Sequence, residues 1–491
     1  MKNLFNLLFI ICFLGCGGGN SGSYVPPDGS PGALDVPQLP QKSETASIAG
    51  SESIFVGYDD TGSTALVQLM KYKIENDKYV ESDLAKPHEL LNAEEFTSDE
   101  MVEIGPFTIS IGLLQSESKE SGKTLYDLGV HLKGPTTTIE DRPNFVLTYC
   151  IDVSGSMNED TGAEDLSNKS KMELVKSGLK SSLLQLKDGD LINIVLFSTG
   201  ASIYVENYVH GESDENNMIK KIQAIQADGS TNLEAGLKKA YDLATKYYDS
   251  EKKNRVLMIT DAMANVGSTN PSLIAKNIII NNKEGILMSG IGVGFDYDAA
   301  FLEELTDKGA GNQFLVATDA DAETIFSTGL LPLLMLAAKN MKVEIAYPNT
   351  ISHISSAAEQ VADSADELKG INFSYNSAQY YLERFKTDAE TDISSSEITI
   401  NITYQDPVTS EDMSISKTFV IGDILDKESS NIKDALTMIY LTSLIKGTKT
   451  WEDILWEFSH VLSGHHSTLF SEYKSLIYNF ANETEEVDDT F

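Results

Sequence analysis

Three separated segments of the sequence place oxygen-bearing side chains beside the ends of predicted strands or the start of a predicted helix. Apolar runs at Phe145–Ile151 and Val256–Ile259 are typical of strands buried on both faces. In an open parallel sheet, ligands bind outside the carboxyl ends of the strands. We therefore expect one edge of a sheet to gather side chains from all three segments. These side chains are Asp152, Ser154, Ser156, Thr231 and Asp261.

The chemistry of this set is that of a hard cation site, because two carboxylates and three hydroxyls offer only oxygen. Oxygen ligands suit Mg²⁺, with Mn²⁺ or Ca²⁺ as alternatives, and disfavour copper and structural zinc. With only two carboxylates, the ion would keep positive character and an open position for an outside ligand. The alternative interpretation, an Asp that caps a turn and serines that cap a helix, explains one segment but not three.

The elements that must position these residues alternate between strand and helix, which predicts an α/β fold with a doubly wound, mostly parallel sheet. Apolar positions at helical spacing follow the first strand. A short edge strand is expected at Ser202–Val205, and a long final helix at Asp321–Met341. The remaining predicted strands are Leu191–Phe197, Ile286–Val293 and Gln313–Val316.

The order Asp-x-Ser-x-Ser, then a distant Thr, then an Asp at a strand end resembles the metal-ion-dependent adhesion site of von Willebrand factor type A domains. This resemblance implies that Ser154 and Ser156 bind the metal directly. It implies that Asp152 and Asp261 hold the metal directly or through water. It also implies that Thr231 joins the metal when a ligand is engaged.

The resemblance extends to a subfamily of bacterial type A lipoproteins with extra regions on both sides of the domain. It is carried by Asp59–Ser63, His88–Asn92 and Ile402–Pro407, although several charged positions of the N-terminal pattern differ. Ala262 stands where the family usually has Gly. The subfamily implies a type A domain inserted into a β-rich scaffold drawn from both flanks.

Patterns in the flanks independently favour that arrangement. Alternation of apolar and polar residues at Phe107–Leu113, Val343–Tyr347 and Ile398–Tyr404 predicts antiparallel strands, and later segments predict helices. The expected regions are a signal peptide (1–15), a linker (16–45), an N-terminal flank (46–142, β-rich from about 101), the type A domain (143–341), a β-rich region (342–425) and a helical region with an acidic tail (426–491).

The N-terminus predicts export and lipid attachment. Lys2 precedes an apolar run, Leu4–Leu14, which is too short to span a bilayer. The sequence Phe13-Leu14-Gly15-Cys16 resembles a bacterial lipobox, which implies lipidation of Cys16. An ordinary secretory signal or an anchor helix remains an alternative. We expect a bacterial cell-envelope protein, and the absence of Asp after Cys16 favours the outer membrane where there is one.

The composition of the chain limits the classes of molecule that we expect it to bind. The 491 residues include 74 acidic and 37 basic side chains, a formal net charge of −37. This argues against nucleic acid, whose binding needs an excess of Lys and Arg. The chain has three cysteines, too few for a disulfide framework.

Three functions are therefore considered. The first is a membrane-anchored adhesion or interaction protein whose metal docks an Asp or Glu of a protein partner. The second is a periplasmic scaffold or chaperone-like assembly factor. The third, a hydrolytic enzyme, is disfavoured because none of the seven histidines lies in a recognisable catalytic context.

Overall fold

The computed structural model describes residues 51–58, 65–162, 168–262, 265–267, 269–270, 272–274, 276, 285–309 and 311–484. The predicted signal peptide, Cys16 and the linker lie outside these residues, as do the acidic residues from 485 onward. In the described part of the chain, no helix is both long enough and apolar enough to cross a bilayer.

The described elements are numbered along the chain. The strands are β1 (Ser51–Gly57), β2 (Val102–Ile104), β3 (Phe107–Glu117), β4 (Lys123–Lys133), β5 (Phe145–Asp152), β6 (Leu191–Phe197), β7 (Ala201–Val209), β8 (Lys253–Thr260), β9 (Ile286–Val293), β10 (Gln313–Val316), β11 (Leu336–Pro348), β12 (Ser352–Ser356), β13 (Gln360–Ala362), β14 (Ile371–Ser374), β15 (Ala378–Asp388), β16 (Glu397–Gln405) and β17 (Asp412–Val420). The helices are α1 (Ala65–Glu75), α2 (Pro87–Ala93), α3 (Lys171–Leu183), α4 (Glu215–Ala224), α5 (Leu233–Lys246), α6 (Ala299–Gly309), α7 (Asp319–Phe326), α8 (Leu330–Leu334), α9 (Ile421–Ile424), α10 (Ser429–Ile445), α11 (Trp451–His460) and α12 (Thr468–Thr484).

The central sheet has the strand order β10-β9-β8-β5-β6-β7. Neighbouring strands are parallel, except that β7 pairs antiparallel with β6 at the edge. Every residue of β5 and β9 is buried, which explains their continuous apolar sequences. Tyr149 packs in a core with α3 and α7, while the next residue, Cys150, packs in the core that contains α5 and α6. Helices therefore cover both faces, and the predicted doubly wound α/β fold is confirmed.

Two antiparallel sheets flank the central domain and draw strands from both sides of it. One has the order β13-β1-β11-β16-β17, with β14 also paired to β11, and the other has the order β12-β15-β4-β3-β2. Ile54, Ile111 and Val343 belong to the single apolar core that contains residues of both sheets. The prediction of a β-rich scaffold built from both flanks is confirmed.

A helical layer covers the second flanking sheet. Leu382 of β15 lies in one apolar cluster with Met70 of α1, Leu441 of α10 and Ile477 of α12. Helices α10 and α12 lie in the C-terminal region where the sequence predicts helices, and α1 and α2 come from the N-terminal flank.

The predicted long helix at Asp321–Met341 is wrong. The chain forms two short helices, α7 and α8, and then enters strand β11 at Leu336. This strand pairs with β1 and β16, so long-range pairing decides the conformation there. The predicted end of the central domain at residue 341 falls inside this strand.

Candidate metal centre

The loop after β5 forms a hydrogen bond to Asp152, the last residue of that strand. The backbone N–H of Ser154 donates to Oδ1 of Asp152 at 2.8 Å. The Oγ atoms of Ser154 and Ser156 lie 3.1 Å apart, at the start of a 3₁₀ turn, Gly155–Asn158. Asp152 is fully buried and Ser154 is 1% exposed. The three predicted donors of this segment therefore form one compact group.

Strand β8 brings the second segment to that group, because β8 runs beside β5 in the sheet. Thr260 donates its hydroxyl to Oδ2 of Asp152 at 2.7 Å. The next residue, Asp261, is fully buried, and its Oδ2 lies 3.3 Å from Nζ of Lys171. Ala262 then adopts a φ of +58° and donates its N–H to the Thr260 hydroxyl. The left-handed backbone gives a physical reason for the family's glycine here, since an L-residue costs about 1–2 kcal/mol in it.

The third segment is anchored by backbone hydrogen bonds. The N–H of Gly155 donates to the carbonyl of Gly229 at 2.9 Å, which joins this segment to the serine loop. The N–H of Thr231 donates to Oδ1 of Asn265 at 2.8 Å, and Thr231 is 1% exposed. The structure thus links the segments that carry the five predicted donors.

Electrostatics make this a place where positive charge is favourable. Burial raises the pKa of the Asp152 carboxyl to about 6, and the nearby Asp261 adds to the increase. Hydrogen bonds from Thr260 and Ser154 oppose the shift. A buried carboxylate whose negative charge is disfavoured gains from a cation beside it.

The donor set fits a divalent cation of the hard type. A carboxylate oxygen and two hydroxyl oxygens from one loop lie together, and all three are ligands of the kind that Mg²⁺ and Ca²⁺ accept. Among the described residues, no group of three or more His, Cys, Asp or Glu could hold a metal. A cation at this centre would therefore need hydroxyl oxygens as ligands in addition to carboxylates.

Sequence reasoning missed three supporting residues. Thr260 positions Asp152, Asn265 holds the Thr231 backbone, and Lys171 lies against Asp261. The available signal for Thr260 was its place immediately before Asp261 in the strand. Lys171 gave no local signal, since 90 residues separate it from Asp261.

Two histidines of the described residues lie within hydrogen-bond distance of carboxylates away from this centre. His353 and Ser356 both hydrogen-bond to the buried Glu383, at 2.8 and 2.6 Å. His465 lies 2.8 Å from Asp434 in a similar pair. In the first group the serine hydroxyl donates to the glutamate and not to the imidazole, so the three do not form the relay of a serine hydrolase.

Comparison with known proteins finds a similarity in the central region. Residues 147–264 match the model of the von Willebrand factor type A domain. The uncharacterized protein YfbK of Escherichia coli is 31% identical over 209 residues, which cover 42% of this chain and 34% of YfbK. The human inter-alpha-trypsin inhibitor heavy chain H3 is 26% identical over 185 residues, covering 36% of this chain and 19% of that protein. The chain thus spans about a third or less of the length of these relatives.

Similar solved structures include a von Willebrand factor type A protein from Catenulispora acidiphila, at 13% identity and a TM-score of 0.37. That alignment covers 70% of this chain and 81% of the other. BatB from Bacteroides thetaiotaomicron has 16% identity and a TM-score of 0.31, with 38% and 97% coverage. The central segment at residues 147–264 is thus similar to von Willebrand factor type A domains, both in the match of the family model and in the relation to YfbK.

Proposed function

We propose that this protein is a lipid-anchored interaction protein whose type A domain binds a divalent cation, Mg²⁺ with Mn²⁺ or Ca²⁺ as alternatives, and uses it to dock a carboxylate of a protein partner. The observation that carries the proposal is the group formed by Asp152, Ser154 and Ser156, with the two hydroxyl oxygens 3.1 Å apart beside a buried carboxylate.

In this proposal each residue has a defined task. Ser154 and Ser156 supply hydroxyl oxygens to the cation, and Asp152 holds it directly or through water. Asp261 holds the cation directly or through water, and Thr231 contributes when the partner is engaged. The bound cation supplies a positive charge that can accept an Asp or Glu from outside. Such docking needs no bond to be made or broken, so the proposal gives the protein no enzymatic activity.

The location proposed for this activity is the bacterial cell envelope, with the outer membrane favoured. It is supported by the apolar segment before Cys16 and by the lipobox resemblance at that residue. Lipid on Cys16 would tether the type A domain to a membrane surface. Metabolic labelling with a palmitate analogue tests this step, since label should enter the native chain and be absent from Cys16→Ser.

Calorimetric titration with Mg²⁺ tests the metal site. The native protein should bind one equivalent, and Asp152→Ala should bind none, because the variant lacks the central carboxylate. Ser156→Ala, at a half-buried position, should weaken binding with less risk to the fold. Asp242→Ala, on the exposed face of α5, is the matched control and should bind as the native protein does. Unchanged binding in Asp152→Ala would contradict the proposal.

The docking step is tested by retention of membrane proteins on the immobilised native chain. A partner of the proposed kind should be held in Mg²⁺, released by EDTA and lost with Asp152→Ala. A partner that stays bound in EDTA would favour the scaffold function instead.

A further inference from the structure

A fully buried lysine lies beside the candidate metal centre. Lys171 is the first residue of α3 and follows Ser170, whose side chain caps the helix together with Glu173. Its Nζ lies 3.3 Å from Oδ2 of Asp261 and 2.7 Å from Oδ1 of Asp296. Lys171 and Asp261 have no exposed side-chain surface, whereas the side chain of Asp296 is 43% exposed. One ammonium group is thus shared between an inner and an outer carboxylate.

The surrounding backbone makes room for this lysine. Gly294 adopts a φ of +86°, and a Cβ at that position would lie 2.6 Å from Cε of Lys171. The N–H of Gly294 donates to the carbonyl of Val316, and the N–H of Lys171 donates to the carbonyl of Glu159. The lysine stem therefore occupies a fixed slot between two loops at the carboxyl edge of the sheet.

We propose that Lys171 is a positioning residue that competes with the divalent cation for Asp261, and that Asp296 holds the lysine when the cation takes Asp261. This inference rests on the proposed function and adds a regulating element to it. The lysine keeps the affinity of the site for the cation alone low. A bound cation then depends more strongly on a carboxylate from the partner.

The physical reason is charge balance in a buried place. Removing the ammonium group would take away a buried positive charge that opposes a cation beside Asp261. Attraction between buried charges a few ångströms apart is only weakly screened by solvent. Removing Asp296 has the opposite effect, because the lysine would then have Asp261 as its remaining partner of the two. A purely structural ion pair predicts neither change.

Magnesium titration of the full chain tests the competition with four proteins: native, Lys171→Met, Asp296→Asn and the double variant. Lys171→Met should bind Mg²⁺ about tenfold more tightly, since a buried like charge is removed. Asp296→Asn should bind more weakly, and that loss should be smaller in the Lys171→Met background. Equal losses in both backgrounds would show that Asp296 does not act through the lysine.

The matched control is the exposed ion pair between Lys169 and Asp319. Lys169 lies two residues before Lys171 in the sequence. Lys169→Met should leave Mg²⁺ affinity within about twofold, because exposed charges are screened. If Lys171→Met fails to fold in EDTA, Asp296→Asn still tests the inference, since its side chain is partly exposed. Its affinity must fall more than that of Asp319→Asn.

A second readout separates competition from a structural role. In EDTA, Lys171→Met should melt below the native protein, because Asp261 loses its buried partner. Added Mg²⁺ should raise its melting temperature more than that of the native protein. Binding by Lys171→Met that is no tighter than native, while Asp152→Ala binds none, would overturn this inference and leave the proposed function standing. Native-like binding by Asp152→Ala would overturn the proposed function itself.

Discussion

The flanking scaffold and the central domain each bury a cluster of charged side chains, and the two clusters are built differently. In the scaffold, Arg384 of β15 contacts Asp127 of β4 through two bonds of 2.6 and 3.0 Å. Tyr440 and Lys449 contact Glu457 at 2.9 and 2.8 Å, and Arg384 also lies 3.6 Å from Glu457. Charges of both signs are paired within the protein, across the second flanking sheet and its helices.

The cluster of the central domain opens to solvent on one side. Lys171 and Asp261 are fully buried, but Asp296 is partly exposed, and Asp152 lies nearby with a raised pKa. The comparison teaches that buried charge serves two purposes in this chain. The fully paired cluster joins sheet and helices, whereas the cluster around Lys171 is the one in which we propose an exchange of partners.

The largest effect is expected from breaking the scaffold cluster. Arg384→Met would leave Asp127 and Glu457 with less compensation, and removing one partner of a buried ion pair costs about 3–5 kcal/mol. Urea unfolding should show this loss in the free energy of unfolding, while Mg²⁺ affinity measured in the folded protein stays unchanged. A loss below about 1 kcal/mol, as for a surface pair, would contradict the comparison.

A smaller effect is expected from acid at the central site. Burial raises the pKa of Asp152 to about 6, so below that pH the cation must displace a proton from this carboxyl. Affinity for Mg²⁺ should therefore fall as the pH decreases through 6, by about tenfold per pH unit at most for one proton. Titrations between pH 7.5 and 5 check this. An affinity that is flat over that range would show that Asp152 does not take part.

The smallest effect is expected at the end of the strand pair that holds the scaffold cluster. Lys123 of β4 contacts Asp388 of β15 at 2.7 Å, in the same register of strands as Asp127 and Arg384. Because the side chains of this pair are partly exposed to solvent, Lys123→Met should leave the midpoint of urea unfolding unchanged within error. A marked decrease would mean that position along the strands, and not burial, decides the contribution of an ion pair.

The sequence predicted those features that local pattern controls. The continuous apolar run at Phe145–Ile151 is a consequence of burial on both faces, so it revealed a parallel strand and the edge where it ends. Alternation at Ile398–Tyr404 likewise revealed a strand with one buried face. The predicted donors follow from these ends, and the structure links the segments that carry them.

The remaining features depend on residues far apart in the chain. The apolar sequence after Leu330 is compatible with helix, yet β11 begins at Leu336, where it pairs with β14 before its later residues pair with β1. Asp296 meets Lys171 across 125 residues, and no spacing in either segment indicates that contact. The lysine that we propose as a regulator of the site could therefore be found only from the folded chain.

Insertion of the central domain into the scaffold also sets the order in which the protein can fold. Tyr58 donates a hydrogen bond to the carbonyl of Tyr380, 322 residues later, and β1 pairs with β11 beyond the inserted domain. Because the ribosome makes the N-terminus first, strands β1, β2, β3 and β4 are synthesised long before β11 and β15. Unpaired strand edges invite aggregation. We therefore expect the central domain to fold first, while β1 and one edge of β4 stay unpaired until β11 and β15 have been made.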